Sequence, residues 1–158
     1  NPFSQFVMKL SDPLVKPMRK VFPGFKGFDL SILALILFFQ WLLFYLLFLL
    51  THAVAPDLLA SMVISFGKVC MLMSNFFFFA VIVSALLSWL PQLQGSPIAQ
   101  VVYLLARPLL SRARRFIPLV AGFDLSPIAV LIFLQLLNIL LFGPIVQFGA
   151  ALLVGGVA

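Results

Sequence analysis

Of 158 residues, 64% are hydrophobic, 15% aromatic and 9% charged, whereas a soluble domain is about half apolar and about a quarter charged. So few charges exclude a well-solvated globule and point to an integral membrane protein. The net charge of +6 comes from ten Lys and Arg against four Asp, and basic loops beside apolar spans are the ordinary signature of membrane orientation, so it argues for a membrane surface rather than for nucleic acid.

The chain opens on an amphipathic stretch. Phe3, Phe6, Val7, Leu10, Leu14 and Met18 recur at helical spacing, with Lys9, Lys16, Arg19 and Lys20 between them and Lys26 following. This is the pattern of a helix lying in the membrane interface, apolar face down and basic heads toward lipid phosphates. Pro13 falls inside it, and proline removes a backbone donor, so two short interfacial pieces are expected rather than one rod. "FPGFKG" then turns the chain, with Pro23 stopping the helix and Gly27 allowing the redirection. Asp29 stands at the N-cap position of the following apolar run, where a carboxylate accepts from free N–H groups and suits the helix dipole. It is also placed to pair with a basic residue of the preceding segment, and the two roles are compatible.

Residues 32–50 form the first expected span, with Gln40 its only strongly polar side chain. "THAVAPD" is a short loop. Residues 58–66 either continue the next helix or lie separately on the surface, with Gly67 and Lys68 as the boundary. Residues 69–90 form the second span, and Trp89 is an interfacial anchor near its end. A second amphipathic stretch follows: Ile98, Val101, Val102, Leu105 and Leu109 beside Arg107, Arg112, Arg114 and Arg115, with Pro108 inside. "IPLVAG" turns the chain, Asp124 takes the N-cap position, and a third span runs from about 125 to 142. Gly143-Pro144 is expected to break or kink it, leaving the Gly-rich tail as a short re-entry or a frayed end.

Residues 1–40 lie over 96–135 without a gap, and sixteen of the forty positions are identical. They include Pro2/Pro97, Gln5/Gln100, Pro13/Pro108, Arg19/Arg114, Pro23/Pro118, the pentapeptide GFDLS at 27–31 and 122–126, and Gln40/Gln135. Identity at Pro, Gly, Asp and Gln carries more weight than Leu matching Leu in a Leu-rich chain, so a duplicated unit is inferred. The expected architecture is an all-α membrane protein of parallel tandem repeats. Each repeat is a transmembrane helix, an amphipathic interfacial helix, a turn and a transmembrane helix.

The first repeat occupies 1–55, its opening span expected to precede Asn1, and the second occupies 56–158. Two spans separate the basic segments, which places both on one side, and the positive-inside rule makes that side the cytoplasm.

The stretches "DPLVKPMRKVFPGFKGFDLSILALIL" and "RPLLSRARRFIPLVAGFDLSPIAVLIFLQLL" resemble the two signature repeats of the YggT (YlmG) family of bacterial inner-membrane and plastid-membrane proteins. The doubled Pro-Leu, basic, Pro, Gly-x-Asp pattern carries the resemblance, which covers essentially the whole chain. The second copy has Pro127 after GFDLS where the first has Ile32. The resemblance implies a small multi-pass protein of the bacterial inner (plasma) membrane without established enzymatic activity. It also implies links to osmotic or ion homeostasis, cell division, or cytochrome assembly and nucleoid organisation in plastids.

Templates for catalysis fail for want of parts. There is no Glu, one His (His52), one Cys (Cys70) and no pair of Asp close in sequence. No enzyme, catalytic residue, metal site or cofactor is expected. Two constellations remain. Lys9, Lys16, Arg19, Lys20, Lys26, Arg107, Arg112, Arg114 and Arg115 are candidate ligands for anionic phospholipid headgroups and mark a platform for a scaffold or assembly factor; otherwise they only orient the protein. Gln40 and Gln135 each lie eleven residues after an Asp, about 16 Å along a helix. With Asn138 they are the mid-membrane polar residues, serving either to tie helices together or to line a path for ions or small solutes. The expected partners are anionic phospholipid and either another membrane protein, met through exposed aromatics such as Phe76–Phe79, or a second copy of the chain. No nucleic acid is expected.

Overall fold

A computed structural model of the chain describes Gln5, Lys9, Asp12, Pro13, Val15 and Lys16, all helical, and then residues 30–90, Gln92, 95–117 and 124–155. Among the described residues every regular element is a helix. These are α1 (Leu30–His52), α2 (Leu58–Ser88), α3 (Pro97–Phe116), α4 (Ser126–Leu137), a π-helical turn (Asn138–Phe142) and α5 (Gly143–Gly155). Three helical stretches are long and apolar enough to cross a membrane: Leu30–His52, Leu58–Ser88 and Ser126–Val154. The chain packs as two units, Asn1–Val69 with Gly149–Ala158, and Cys70–Phe148, so the division falls inside α2 and inside α5.

In the first unit, α1 closes on Ala53, whose φ of 53° is left-handed and whose N–H donates to the Leu49 carbonyl at 2.9 Å, satisfying one of the last free carbonyls. Asp57 caps α2: its Oδ2 accepts from the Ala60 N–H at 2.9 Å. The two helices are tied by Trp41, whose Nε1–H donates to Ser61 Oγ at 3.0 Å. Ser61 Oγ in turn donates to the Leu58 carbonyl at 2.8 Å, and Ser65 Oγ donates to the Ser61 carbonyl at 2.7 Å. Small residues on this face permit close approach, the usual device where lipid removes any hydrophobic gain from helix pairing. Gly149 of α5 uses it: a Cβ there would stand 2.6 Å from Ile64 Cγ1 and 3.0 Å from the Ile64 nitrogen.

The second unit has a core of Val81, Ala106, Leu110, Val130 and Leu134, contributed by α2, α3 and α4. Ser96 caps α3 by accepting from the Ala99 N–H at 3.1 Å, with Pro97 in the first turn, where its missing donor costs nothing. The buried face of α3 is Ala99, Ala106 and Leu110, whereas Ile98, Val101 and Leu104 are exposed. The alanines, not the larger aliphatics, let the helix backbones close up.

Of the helix breaks expected from the sequence, the split at Pro108 does not occur, and the choices left open at Gly67-Lys68 and Gly143-Pro144 are decided. Pro108 does not split its helix, which runs unbroken from Pro97 to Phe116. Pro108 lies on the exposed side, and the core contacts of Ala106 and Leu110 hold the turns on either side of it. Gly67-Lys68 is not a boundary, because α2 continues through it for 31 residues, about 46 Å of helix against about 30 Å of hydrocarbon. Gly143-Pro144 does not end the third span. The chain widens into the π-helical turn just before it, and the Gly143 N–H donates to the Asn138 carbonyl. An i to i−5 bond makes room for a residue without an N–H, so the helix absorbs proline by changing pitch. The small residue at 143 belongs to this device, since a Cβ there would stand 3.1 Å from the Asn138 carbonyl oxygen.

Candidate functional site: an arginine-lined cleft beside the spans

The helical period sets the site. Along α3, Tyr103, Arg107, Ser111 and Arg114 recur at spacings of four, four and three, which places them on one stripe. Together with Leu110 and with Ser84 from α2 they line a cleft of about 280 Å³. Ser84 is buried. Arg114 is locked in place: its Nε and Nη2 each lie 2.8 Å from Asp124 Oδ2. Leu125, not Asp124 as expected, holds the N-cap position of α4; from one residue earlier, Asp124 Oδ1 accepts from the Ser126 N–H at 3.0 Å, so one carboxylate both receives the start of α4 and holds an arginine. Burial of Asp124 favours its neutral form, but the hydrogen bonds from Ser126 and the Arg114 guanidinium outweigh it and hold the carboxyl below its usual range. Ser111 Oγ donates to the Pro108 carbonyl at 3.3 Å. Arg107 has no anionic partner among the described residues.

Among the remaining basic residues, Arg112 and Arg115 are exposed on α3 and Lys9 is exposed in the first segment. Lys16 pairs with Asp12 at 2.8 Å, one helical turn away. Arg19, Lys20, Lys26 and Asp29 lie outside the described residues.

The mid-membrane polar residues fall in both units and are described in each by itself. Gln40 is half-buried in the first unit. Gln135 is exposed, beside a shallow apolar hollow formed by Phe78, Leu131 and Ile139. Asn138 is buried, and its Nδ2 donates to Asn75 Oδ1 at 2.9 Å, while its own Oδ1 finds no partner among the described residues. Ser74 Oγ reaches the Leu134 carbonyl nearby, at 3.3 Å.

Sequence reasoning passed over several of these positions. Asp57 as a cap was signalled by a Pro-Asp pair directly before an apolar run. Lys68 stands inside α2, with its ammonium 4.7 Å from the centre of the Phe44 ring, a cation–π contact that no local pattern announces. The Asn75–Asn138 bond joins residues 63 apart and leaves no trace in spacing. Among the described residues, no group of three or more His, Cys, Asp or Glu could hold a metal ion.

Three apolar helices of spanning length, with an arginine-bearing helix packed against α2 and α4, define a multi-pass helical membrane protein. The chain belongs to the CCB3/YggT family, whose model matches residues 1–50 and 63–145. It is 37% identical over 141 residues to an uncharacterized protein of Pseudomonas aeruginosa, covering 89% of this chain and 72% of that one. It is 32% identical over 138 residues to the YggT protein of Escherichia coli K12, covering 87% and 71%, and 32% identical over 152 residues to a Vibrio alginolyticus protein, covering 92% and 80%. No solved structure matches the chain.

Proposed function

We propose that the protein is a non-enzymatic scaffold or assembly factor of the bacterial inner membrane, held to anionic phospholipid by its basic helices on the cytoplasmic side. One observation carries the reading: α3 exposes Arg107, Arg112 and Arg115 on the same helix as exposed Ile98, Leu104 and Phe116. Apolar bulk beside unpaired cations suits the boundary between acyl chains and headgroups. Each Lys or Arg near an anionic surface contributes about 1 kcal/mol, so Lys9, Lys16, Arg19, Lys20 and Lys26 would add to the four arginines of the second segment. The platform so formed would receive a membrane-protein partner or a second copy of the chain.

The test uses the whole chain in nanodiscs. With phosphatidylglycerol in the bilayer, thermal unfolding should move to higher temperature than in phosphatidylcholine alone, and salt should erase the gain. Equal stability in both lipids would remove the electrostatic anchor. Cross-linking in native membranes should give discrete adducts, whereas a smear of neighbours proportional to abundance would argue against a dedicated partner.

A transport role in osmotic or ion homeostasis is the second reading, and buried Asn138 with its unpartnered oxygen favours it. Exposed Gln135 weighs against a path shared by all three polar residues. Flux through proteoliposomes that falls on Asn138→Leu, with folding retained, would support it; no flux from the intact protein would dispose of it.

A further inference from the structure

Donors and acceptors in the α3 cleft do not balance. Its lining is mostly apolar, and Arg107, Arg114, Tyr103 and Ser84 are among the residues that form it, with one side of the Arg114 fork not used by Asp124. The nearby carboxylate is committed on both oxygens, to Arg114 and to the Ser126 N–H. Among the described residues, two arginines stand here against one aspartate, and Arg107 has no anionic partner. A bare guanidinium beside two hydroxyls and a second, pre-oriented guanidinium calls for a ligand that carries negative charge and several acceptor oxygens. Arginine forks match the oxygens of phosphate, and an arginine already fixed by a salt bridge loses little freedom when it binds. The cleft, at about 280 Å³, has room for one phosphate group with its ester linkage, and it opens on a helix whose exposed Ile98 and Leu104 offer apolar surface beside the charges.

We propose that this cleft is a stoichiometric phosphate site. One phosphate group bridges Arg107 and Arg114 and is completed by the Tyr103 and Ser84 hydroxyls. The phosphate comes either from an anionic lipid headgroup or from a soluble phosphate ester. The proposal sharpens the lipid-anchor reading above: there the cations act as a diffuse field, and here a defined set of atoms recognises one group.

The two are separated by changes that conserve charge. Full-length protein in neutral detergent is titrated with phosphatidylglycerol, with phosphatidylcholine and with glycerol phosphate, and bound molecules are counted by native mass spectrometry. One phosphatidylglycerol per chain is expected. Arg107→Lys keeps the charge and loses the fork, and should weaken binding about tenfold, as hydrogen bonds to charged groups require. Tyr103→Phe and Ser84→Ala should each weaken it a few-fold. Arg112→Gln, which removes a charge outside the cleft, should weaken it about fivefold or less. Retained monodispersity and thermal unfolding of Arg107→Lys and Tyr103→Phe exclude misfolding as the cause. Glycerol phosphate that binds alone and displaces the lipid supports the site with a soluble source; lipid that binds while glycerol phosphate does not supports it with a headgroup source. If anionic lipid is preferred but Arg107→Lys binds like the wild type, the site is wrong and the diffuse anchor survives. If no lipid preference exists at all and glycerol phosphate does not bind, both fall.

Discussion

Among the described residues, the first unit has no buried side-chain atom left without a partner, and the second has. At positions paired by the 95-residue offset, Asp12 and Lys16 form an ion pair within one helical turn, and their counterparts are Arg107 and Ser111. The surroundings match. Val15 and Leu110 are both buried, Pro13 and Pro108 are both exposed, and Ser31 and Ser126 are both fully enclosed. The same contrast holds deeper. In the first unit Trp41 donates to Ser61 Oγ, Ser61 Oγ to the Leu58 carbonyl and Ser65 Oγ to the Ser61 carbonyl, and Lys68 rests on an aromatic face. Among the described residues, Asn138 Oδ1, in the second unit, is a buried side-chain atom left without a partner. Buried polar atoms are nearly always satisfied, so exceptions mark where something else is meant to act. A unit that satisfies itself is built to hold shape; a unit with unmet donors and acceptors is built to meet a ligand or a neighbour.

The largest expected effect tests the shape-holding half of that contrast. Gly149→Val should destabilise the protein by roughly 3 kcal/mol, the upper range of overpacking. The nearest obstacle, Ile64 Cγ1, can rotate away, but the Ile64 nitrogen at 3.0 Å and the Ala60 carbonyl at 3.2 Å are backbone. Thermal unfolding in detergent checks it, and an unchanged midpoint would mean that this contact has slack. The second effect tests the other unit. Asn75→Leu should cost about 1–2 kcal/mol, because it strands both ends of the buried Asn138 amide. Asn138→Leu should be neutral or stabilising, because it removes the orphaned oxygen along with its carrier. Equal losses from both variants would mean that Asn138 already has a partner, such as water, in the membrane.

How much of this was legible in the sequence follows from the range over which each interaction acts. Spans are readable because length and apolarity are local sums, and each of the three expected spans overlaps a helix of spanning length, although 69–90 overruns the helix end at Ser88. Helix breaks are harder to read, as the unbroken helix through Pro108 shows, because proline's effect is not local. Pro108 is overruled by core packing through Ala106 and Leu110, and Pro144 is accommodated by a change of pitch that begins at Asn138. The arginines of the cleft were named in advance, but their convergence with Ser84 depends on α2 and α3 packing together. Neither that nor the Asn75–Asn138 bond has any signature in spacing.

The smallest effect concerns the carboxylate that supports the cleft. Asp124 has a folded pKa below its unfolded value, which is about 3.9 for an ordinary Asp. A depressed carboxyl contributes stability that is fully present above the unfolded value and is lost as pH falls through the folded one. The wild type should therefore be unaffected near neutrality and weaken only below about pH 4. Asp124→Asn keeps an oxygen for the Ser126 N–H but abolishes the ion pair with Arg114. Its cost at neutral pH should be under about 1 kcal/mol, as for exposed pairs generally, and its acid limb should be shallower than that of the wild type. Unfolding midpoints from pH 7 to pH 3 give both quantities. The phosphate site adds a sharper reading of the same variant: Arg114, no longer held, should bind phosphatidylglycerol less tightly even at neutral pH, where stability has barely moved. Loss of stability without loss of binding would make Asp124 only a support for the start of α4.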